Sequence, residues 1–245
     1  MRNFKLLIAY DGSRYKGWQR LGDTDNTIQG KLEQVLSRMV GTEVEVIGSG
    51  RTDAGAHAAA QTANFHAETV MTSEEICAYL RHYLPEDIGV LSVEEVSERF
   101  HSRFHAVEKT YCYRIWNSAV PCVFERKYVW SVESQFDLCA MKEAAGYFLG
   151  THDFLAFCSN KHFKKSSVRT IHALEIERIG GELRFTVSGD GFLYNMVRIM
   201  VGTLLAVGRG ERKPADISRI LGSKNRELAG ETVPARGLCL MEVRY

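Results

Sequence analysis

Phe4-Lys5-Leu6-Leu7-Ile8-Ala9-Tyr10, stopped by Asp11-Gly12, is the stretch from which the order of elements is read. Apolar and aromatic residues crowd it up to a turn pair, which predicts a strand. Beyond it, Ile28, Leu32, Val35, Leu36 and Met39 recur at helical spacing, with Asn26 or Thr27 as cap and Gly41 as stop. Residues 44–47 and 61–66 read as a second and a third strand. Ser73 opens another helix through Ile76, Tyr79 and Leu80, with a capping-box acid at Glu74 or Glu75 and Pro85 beyond. Residues 88–96 make a fourth strand. The order is β-α-β-β-α-β.

The rest of the chain repeats that order without repeating the sequence. Tyr111 to Trp116 alternates as a strand, and Asp137 caps a helix through Leu138, Met141, Ala145 and Phe148 that Gly150 ends. Residues 170–179 and 182–188 form a hairpin around Gly180-Gly181. Residues 195–207 are helical, 215–221 a short extra helix, and 238–243 a last strand. The expected fold class is α+β: two ferredoxin- or RRM-like halves, mainly antiparallel, split at 1–105 and 106–245 with a cleft between them. Helices on one face of each sheet would leave the other face free, a common way to hold RNA.

Composition bounds the function classes. With 45% hydrophobic and 25% charged residues, the 245-residue chain is an ordinary globular protein. Its opening lacks a secretory pattern, and its longest apolar stretch, 196–207, contains Arg198 and is too short for a bilayer. A cytoplasmic protein with no membrane partner is expected. The six cysteines include no Cys-x-x-Cys pair, and His101 and His105 stand four apart with no third donor in sequence, so no metal is expected. Net charge is +1, but residues 1–105 carry 11 Lys+Arg against 15 Asp+Glu and residues 106–245 carry 20 against 15. A polyanion would be steered to the second half, at Lys161, Lys164, Lys165 and Arg169 or at Arg209, Arg212 and Lys213.

Between the second and third strands lies Gly48-Ser49-Gly50-Arg51-Thr52-Asp53-Ala54-Gly55-Ala56-His57. Three glycines in eight positions permit sharp bends and close approach to a ligand. Thr-Asp-Ala-Gly taken alone suits a type I turn, with the Asp side chain bonding back to the backbone.

Gly-Arg-Thr-Asp-Ala-Gly-x-His resembles the signature of the TruA-type tRNA pseudouridine synthase family, and the likeness continues in order along the chain. Tyr10-Asp11-Gly12-Ser13-Arg14-Tyr15-Lys16-Gly17-Trp18-Gln19 is similar to that family's first motif, followed by Thr27-Ile28-Gln29 and Leu32-Glu33. Phe100-His101-Ser102-Arg103-Phe104, Lys109-Thr110-Tyr111-Cys112-Tyr113-Arg114 and Gly150-Thr151-His152-Asp153-Phe154 follow. Phe192-Leu193-Tyr194-Asn195-Met196-Val197-Arg198 and Gly237-Leu238-Cys239-Leu240 complete it. Ala56, Ala60 and Asn64 depart from the family's usual Val, Gly and His; packing around the loop is the expected consequence.

The resemblance implies an isomerase acting on uridines 38 to 40 of the tRNA anticodon arm, as a homodimer and without a cofactor. It implies that Asp53 is the catalytic residue, since uracil must be detached, turned and rejoined while a nucleophile holds one fragment. Attack at C6, attack at C1′ and a glycal route all remain open. An ionised Asp53 calls for a neighbouring cation, and Arg198 is the one the family suggests. Asn195, Arg198 and Gly202 form a narrow non-aliphatic strip on an apolar helix, where Gly202 would allow close approach. By the same resemblance, Tyr111 contacts the target base, Arg51 fills the space the base vacates, and Leu238 lines the uracil pocket. Unstacking that base costs about a few kcal/mol. His57 is expected to order the loop. The competing readings are a non-catalytic RNA-binding module on the same sheets and a hydrolase using Asp53 with His57.

Overall fold

The computed structural model describes residues 1–160 and 166–245. The basic positions Lys161, Lys164 and Lys165 lie outside the described residues. The chain divides into two compact units, residues 1–107 with 239–245, and residues 108–238. Residues 239–245, read from sequence with the second half, therefore group with the first unit.

In the first unit β1 (Arg2–Tyr10) is central, antiparallel to β3 (His57–Ala67) on one side and to β4 (Ile88–Val96) on the other. β2 (Val46–Gly48) pairs antiparallel with β3, with Val46 opposite Phe65. This is the split β-α-β arrangement expected of an α+β fold. Alternation along β1 sends Phe4, Leu6 and Ile8 to one fully buried face, where the Phe4 and Phe65 rings stack at 5.3 Å. α1 (Ile28–Val40) and α2 (Ser73–Tyr83) pack against each other and on β2 and β4, burying Ile28, Leu32 and Leu36 from one and Ile76 and Leu80 from the other. Their starts were written in the sequence. The Thr27 side chain caps α1, Gly41 ends it at φ 78°, and Thr72 with Glu75 closes a capping box on α2.

The second face of this sheet, expected from the element order to be free, is covered in part. Asn3, Thr62 and Asn64 on that face are buried, and the backbone of residues 97–102 crosses it. Asn64 Nδ2 donates to Asn3 Oδ1 at 3.1 Å, and Asn64 Oδ1 accepts from the Ser102 N–H and hydroxyl at 2.9 and 2.7 Å. Asn3 Nδ2 donates to the Ser97 and Phe100 carbonyls. Buried amides with all partners satisfied tie the segment down rather than leave a polar penalty. Asn64, a departure from the family pattern, is thus the hub of a structural network. Tyr245 joins it: its hydroxyl donates to the Ser102 carbonyl at 2.8 Å, and burial, against bonds to Thr62, Ser102 and Ser49, pushes it up to about 12.

In the second unit β5 (Glu108–Trp116), β9 (Glu182–Gly189), β8 (Val168–Ile179) and β7 (Gly150–Asp153) lie side by side, antiparallel throughout. β6 (Trp130–Ser131) adds a short parallel pairing to β5. Tyr111, Tyr113 and Ile115 stand opposite Val187, Phe185 and Leu183 on one buried face. α3 (Leu138–Gly146), capped by Asp137, packs on β8 and on α4 (Met196–Gly208). Apolar all round apart from Arg198 and Thr203, α4 is the buried spine of this unit. α5 (Asp216–Ser223) follows. β10 (Leu238–Arg244), which from Cys239 onward belongs to the first unit, runs parallel to β3 at Cys239 and Leu240.

Candidate active site

The Asp53 loop runs from β2 to β3 and is clasped by the segment just after β1. Gly12 lies so close that a Cβ there would fall 1.8 Å from the Ala56 carbonyl oxygen, and a Cβ on Gly17, at φ 98°, would fall 2.8 Å from that of Thr52. Only glycine fits either contact. Hydrogen bonds close the clasp: the Trp18 N–H donates to the Thr52 carbonyl at 3.1 Å, and the Tyr10 and Thr52 hydroxyls lie 2.8 Å apart. The Gly12 N–H donates to His57 Nδ1 at 3.1 Å, and Asp11 Oδ1 is 3.2 Å from the same nitrogen. His57, buried, is therefore committed to holding loop to loop.

Within the loop the Ala56 N–H donates to the Asp53 carbonyl at 3.1 Å, closing the turn Asp53-Ala54-Gly55-Ala56. Gly55 sits at φ 80° while Ala54 does not leave the negative-φ region. A positive φ at the third position alone makes this a type II turn; the type I turn expected from sequence was placed one residue earlier, over 52–55. Thr52 is buried as the anchor, with Asp53 half-buried after it and Arg51 exposed before it. Arg51 Nε donates to Gln19 Oε1 at 2.9 Å.

In the second unit Gly202 of α4 is a point of close approach. A Cβ at Gly202 would meet the Glu231 carbonyl oxygen at 2.1 Å, so the helix lies directly against residues 230–234. Arg198, half-buried one turn earlier, donates from Nε to the Val233 carbonyl at 2.7 Å and from Nη1 to Asn195 Oδ1 at 2.8 Å. Asn195 itself is held at φ 62°, a left-handed conformation that few residues but Asn tolerate. The neighbouring carbonyl, Pro234, accepts from the Tyr113 hydroxyl at 2.7 Å. Burial pushes that hydroxyl well above the usual phenol range, with the cations of Arg198 and Arg236 only partly offsetting it. Tyr113 is a structural pin. Tyr111, two residues earlier on the same face, is buried with its ring edge-on to Phe192 at 5.1 Å. Leu238, buried, follows a tight turn at Gly237, where a Cβ would meet the Arg114 carbonyl at 2.7 Å.

Arg51 and Asp53 are thus brought together in one unit, and Tyr111, Arg198 and Leu238 belong to the elements of the other. Sequence reasoning passed over Gln19 and Tyr113 as individual actors, although both stood inside motifs it quoted. Of the basic positions expected to steer a polyanion, Arg209 is ion-paired with Glu211 and Glu231, and Arg169 bonds the Ser166 and Val168 carbonyls. Among the described residues no group of three or more His, Cys, Asp or Glu could hold a metal ion, and no helix is long and apolar enough to cross a membrane.

A family model described as tRNA pseudouridine synthase matches residues 6–105 and 144–245. The chain belongs to the tRNA pseudouridine synthase family. A curated relative from Bacillus sp. (strain KSM-64), named tRNA pseudouridine synthase A, is 51% identical over 245 residues, all of both chains. Relatives named tRNA pseudouridine synthase A 2 from Clostridium perfringens and tRNA pseudouridine synthase A 1 from Clostridium tetani are 49% and 46% identical over the same full span. Among solved structures, one titled as a Cbf5-Nop10-Gar1 complex matches 97% of this chain and 48% of its own at 10% identity and a TM-score of 0.39, which carries no argument. Asp53, Arg51, Arg198 and Leu238 of this synthase fall inside the two matched stretches, whereas Tyr111 falls between them. Full-length relatives nonetheless align across Tyr111.

Proposed function

We propose that this synthase converts uridine to pseudouridine in the anticodon arm of tRNA, at nucleotides 38, 39 and 40, as a cytoplasmic homodimer that needs no cofactor. The reaction balances within one nucleotide. The N1–C1′ bond breaks, the uracil turns, and a C5–C1′ bond forms; C5 gives up its proton and N1 takes one. Nothing is oxidised and no co-substrate is consumed, so a lone carboxylate is a sufficient nucleophile.

Asp53 takes that role in this reading, with Arg198 as its cationic partner. Tyr111 lies against the target base and assists loss of the C5 proton, Arg51 occupies the vacated stack, and Leu238 lines the uracil pocket. The observation that carries the reading is the Asp53 loop, an acid held half-buried by contacts that only glycine permits at positions 12 and 17. A sheet that merely binds RNA needs no such fixture.

The test is Asp53→Asn, with pseudouridines mapped by chemical labelling of tRNA and binding measured by gel shift. Unmodified tRNA bound within about twofold of wild type, with formation reduced more than about a thousandfold, is the expected result. Retained turnover in a clean preparation overturns Asp53's role. Labels outside nucleotides 38 to 40 overturn the site assignment. Wild-type protein that binds tRNA and modifies nothing returns the chain to the RNA-binding reading.

A further inference from the structure

We infer that Gln19 is a positioning residue for Arg51, held in phase by a hydrogen-bonded relay that runs through Gln29 to the buried Glu33. Gln29 Nε2 donates to the Val46 carbonyl at 3.0 Å and to Glu33 Oε1 at 2.9 Å, while Gln29 Oε1 accepts the Arg20 backbone N–H at 2.8 Å. A backbone carbonyl on one side and a backbone N–H on the other leave this amide one orientation. Glu33 Oε1 also accepts the Val46 N–H at 3.0 Å, and Arg20 Nη1 stands 3.2 Å from Glu33 Oε2.

That fixed amide sets the next one. Gln29 Oε1 can only accept, so Gln19 must turn its Nε2 towards it, at 2.7 Å. Gln19 Oε1 then has to face the other way, and there it accepts Arg51 Nε at 2.9 Å. A flipped Gln19 would present an NH2 group to a guanidinium, donor against donor. Gln29 and Glu33 are buried while Arg51 is exposed, so the relay carries orientation from the core to a surface arginine. An exposed arginine otherwise samples many rotamers, and fixing it beforehand removes that entropy from the step in which it replaces an extruded base. Positioning of this kind raises the rate of the modification step more than the affinity for tRNA. The rate consequence rests on the role proposed for Arg51; the relay itself does not.

Two readouts keep these separate. In nitrogen-15 correlation spectra of the full chain, the Arg51 Nε–Hε signal, assigned by its loss in Arg51→Lys, should be distinct in wild type and broadened or averaged in Gln19→Leu. An unchanged signal overturns the relay whatever the enzyme does. For function, single-turnover pseudouridine formation in Gln19→Leu should fall about tenfold, with tRNA affinity within about twofold. In an Arg51→Ala background, the same Gln19 change should cost less than about twofold further. An equal further loss in that background means Gln19 acts without Arg51 and overturns the assignment. Wild-type turnover in Arg51→Ala, beside a lost Nε–Hε signal in Gln19→Leu, would refute the role given to Arg51 and leave the relay standing.

Discussion

Asp53 and Arg198 are fixed by contrasting means in their two units. Around Asp53 one loop is held on another: glycines at 12 and 17 let the backbones lie close, and single hydrogen bonds from Gly12 to the His57 ring, from Trp18 to the Thr52 carbonyl and between the Tyr10 and Thr52 hydroxyls close the contact. Arg198 instead rides on the first turn of a helix that is buried almost all round, with its guanidinium wired to Val233 and Asn195. A loop clasped by loops can be displaced without unfolding the sheet beneath it. A buried helix cannot move without opening the core. The first arrangement concentrates damage on chemistry, the second on stability.

Gly12→Val is the strongest challenge to that contrast. With even a Cβ falling 1.8 Å from the Ala56 carbonyl, the loop must leave its place, and turnover on tRNA should drop at least about a hundredfold. Thermal melting followed by circular dichroism should move far less than the activity does. A large loss of melting temperature would break the claim that the clasp is local. Gly202→Val probes the other side, because its side chain would be driven into the Glu231 carbonyl. It should destabilise the fold by about 1–3 kcal/mol, lowering the melting temperature by several degrees. Unchanged melting would mean that α4 can shift freely.

The smallest effect belongs to an ion-pair cluster on β5 and β9. Burial acts to raise the Glu182 carboxyl, but hydrogen bonds from Arg114 and Arg184 outweigh it and hold the group below its ordinary value. Arg114 also pairs with Glu125. A depressed carboxyl adds stability above its unfolded value and loses it as pH falls through the folded one. Melting temperature should therefore decline from about pH 5 downward, and Glu182→Gln should flatten that decline. A variant with the wild-type slope would remove Glu182 from the account of the second unit's stability.

Local chemistry explains what could be read in advance. The starts of α1 and α2, the stop at Gly41 and the strand at Ile88–Val96 are all written within a few neighbouring residues. Arg198 and Gly202 were legible as neighbours because a helix puts every third or fourth residue on one side, whereas Asn195 stands just before α4 in a left-handed conformation. What escaped depends on distant partners. β7 is four residues long and owes its existence to Val168–Ile171 rather than to its own composition. The last strand joins β3, with Cys239 opposite His57, a choice of so distant a partner that no alternation within 238–243 could announce it. Asn64 looked like a minor departure because its partners, Asn3 and Ser102, lie far from it in sequence. The turn at Asp53 takes its type from the positive φ of Gly55.

Trp18 turns the clasp into something that can be watched. Its indole lies over Gly48 so tightly that a Cβ there would come within 2.5 Å of the ring, and Tyr10 is 6.2 Å away centre to centre. Of the three tryptophans it is the fully enclosed one, while Trp116 and Trp130 are part-exposed. With those two replaced by phenylalanine, the remaining emission would arise at the root of the Asp53 loop. The wavelength of its maximum then serves as an intrinsic gauge of whether the loop stays docked while RNA arrives and leaves.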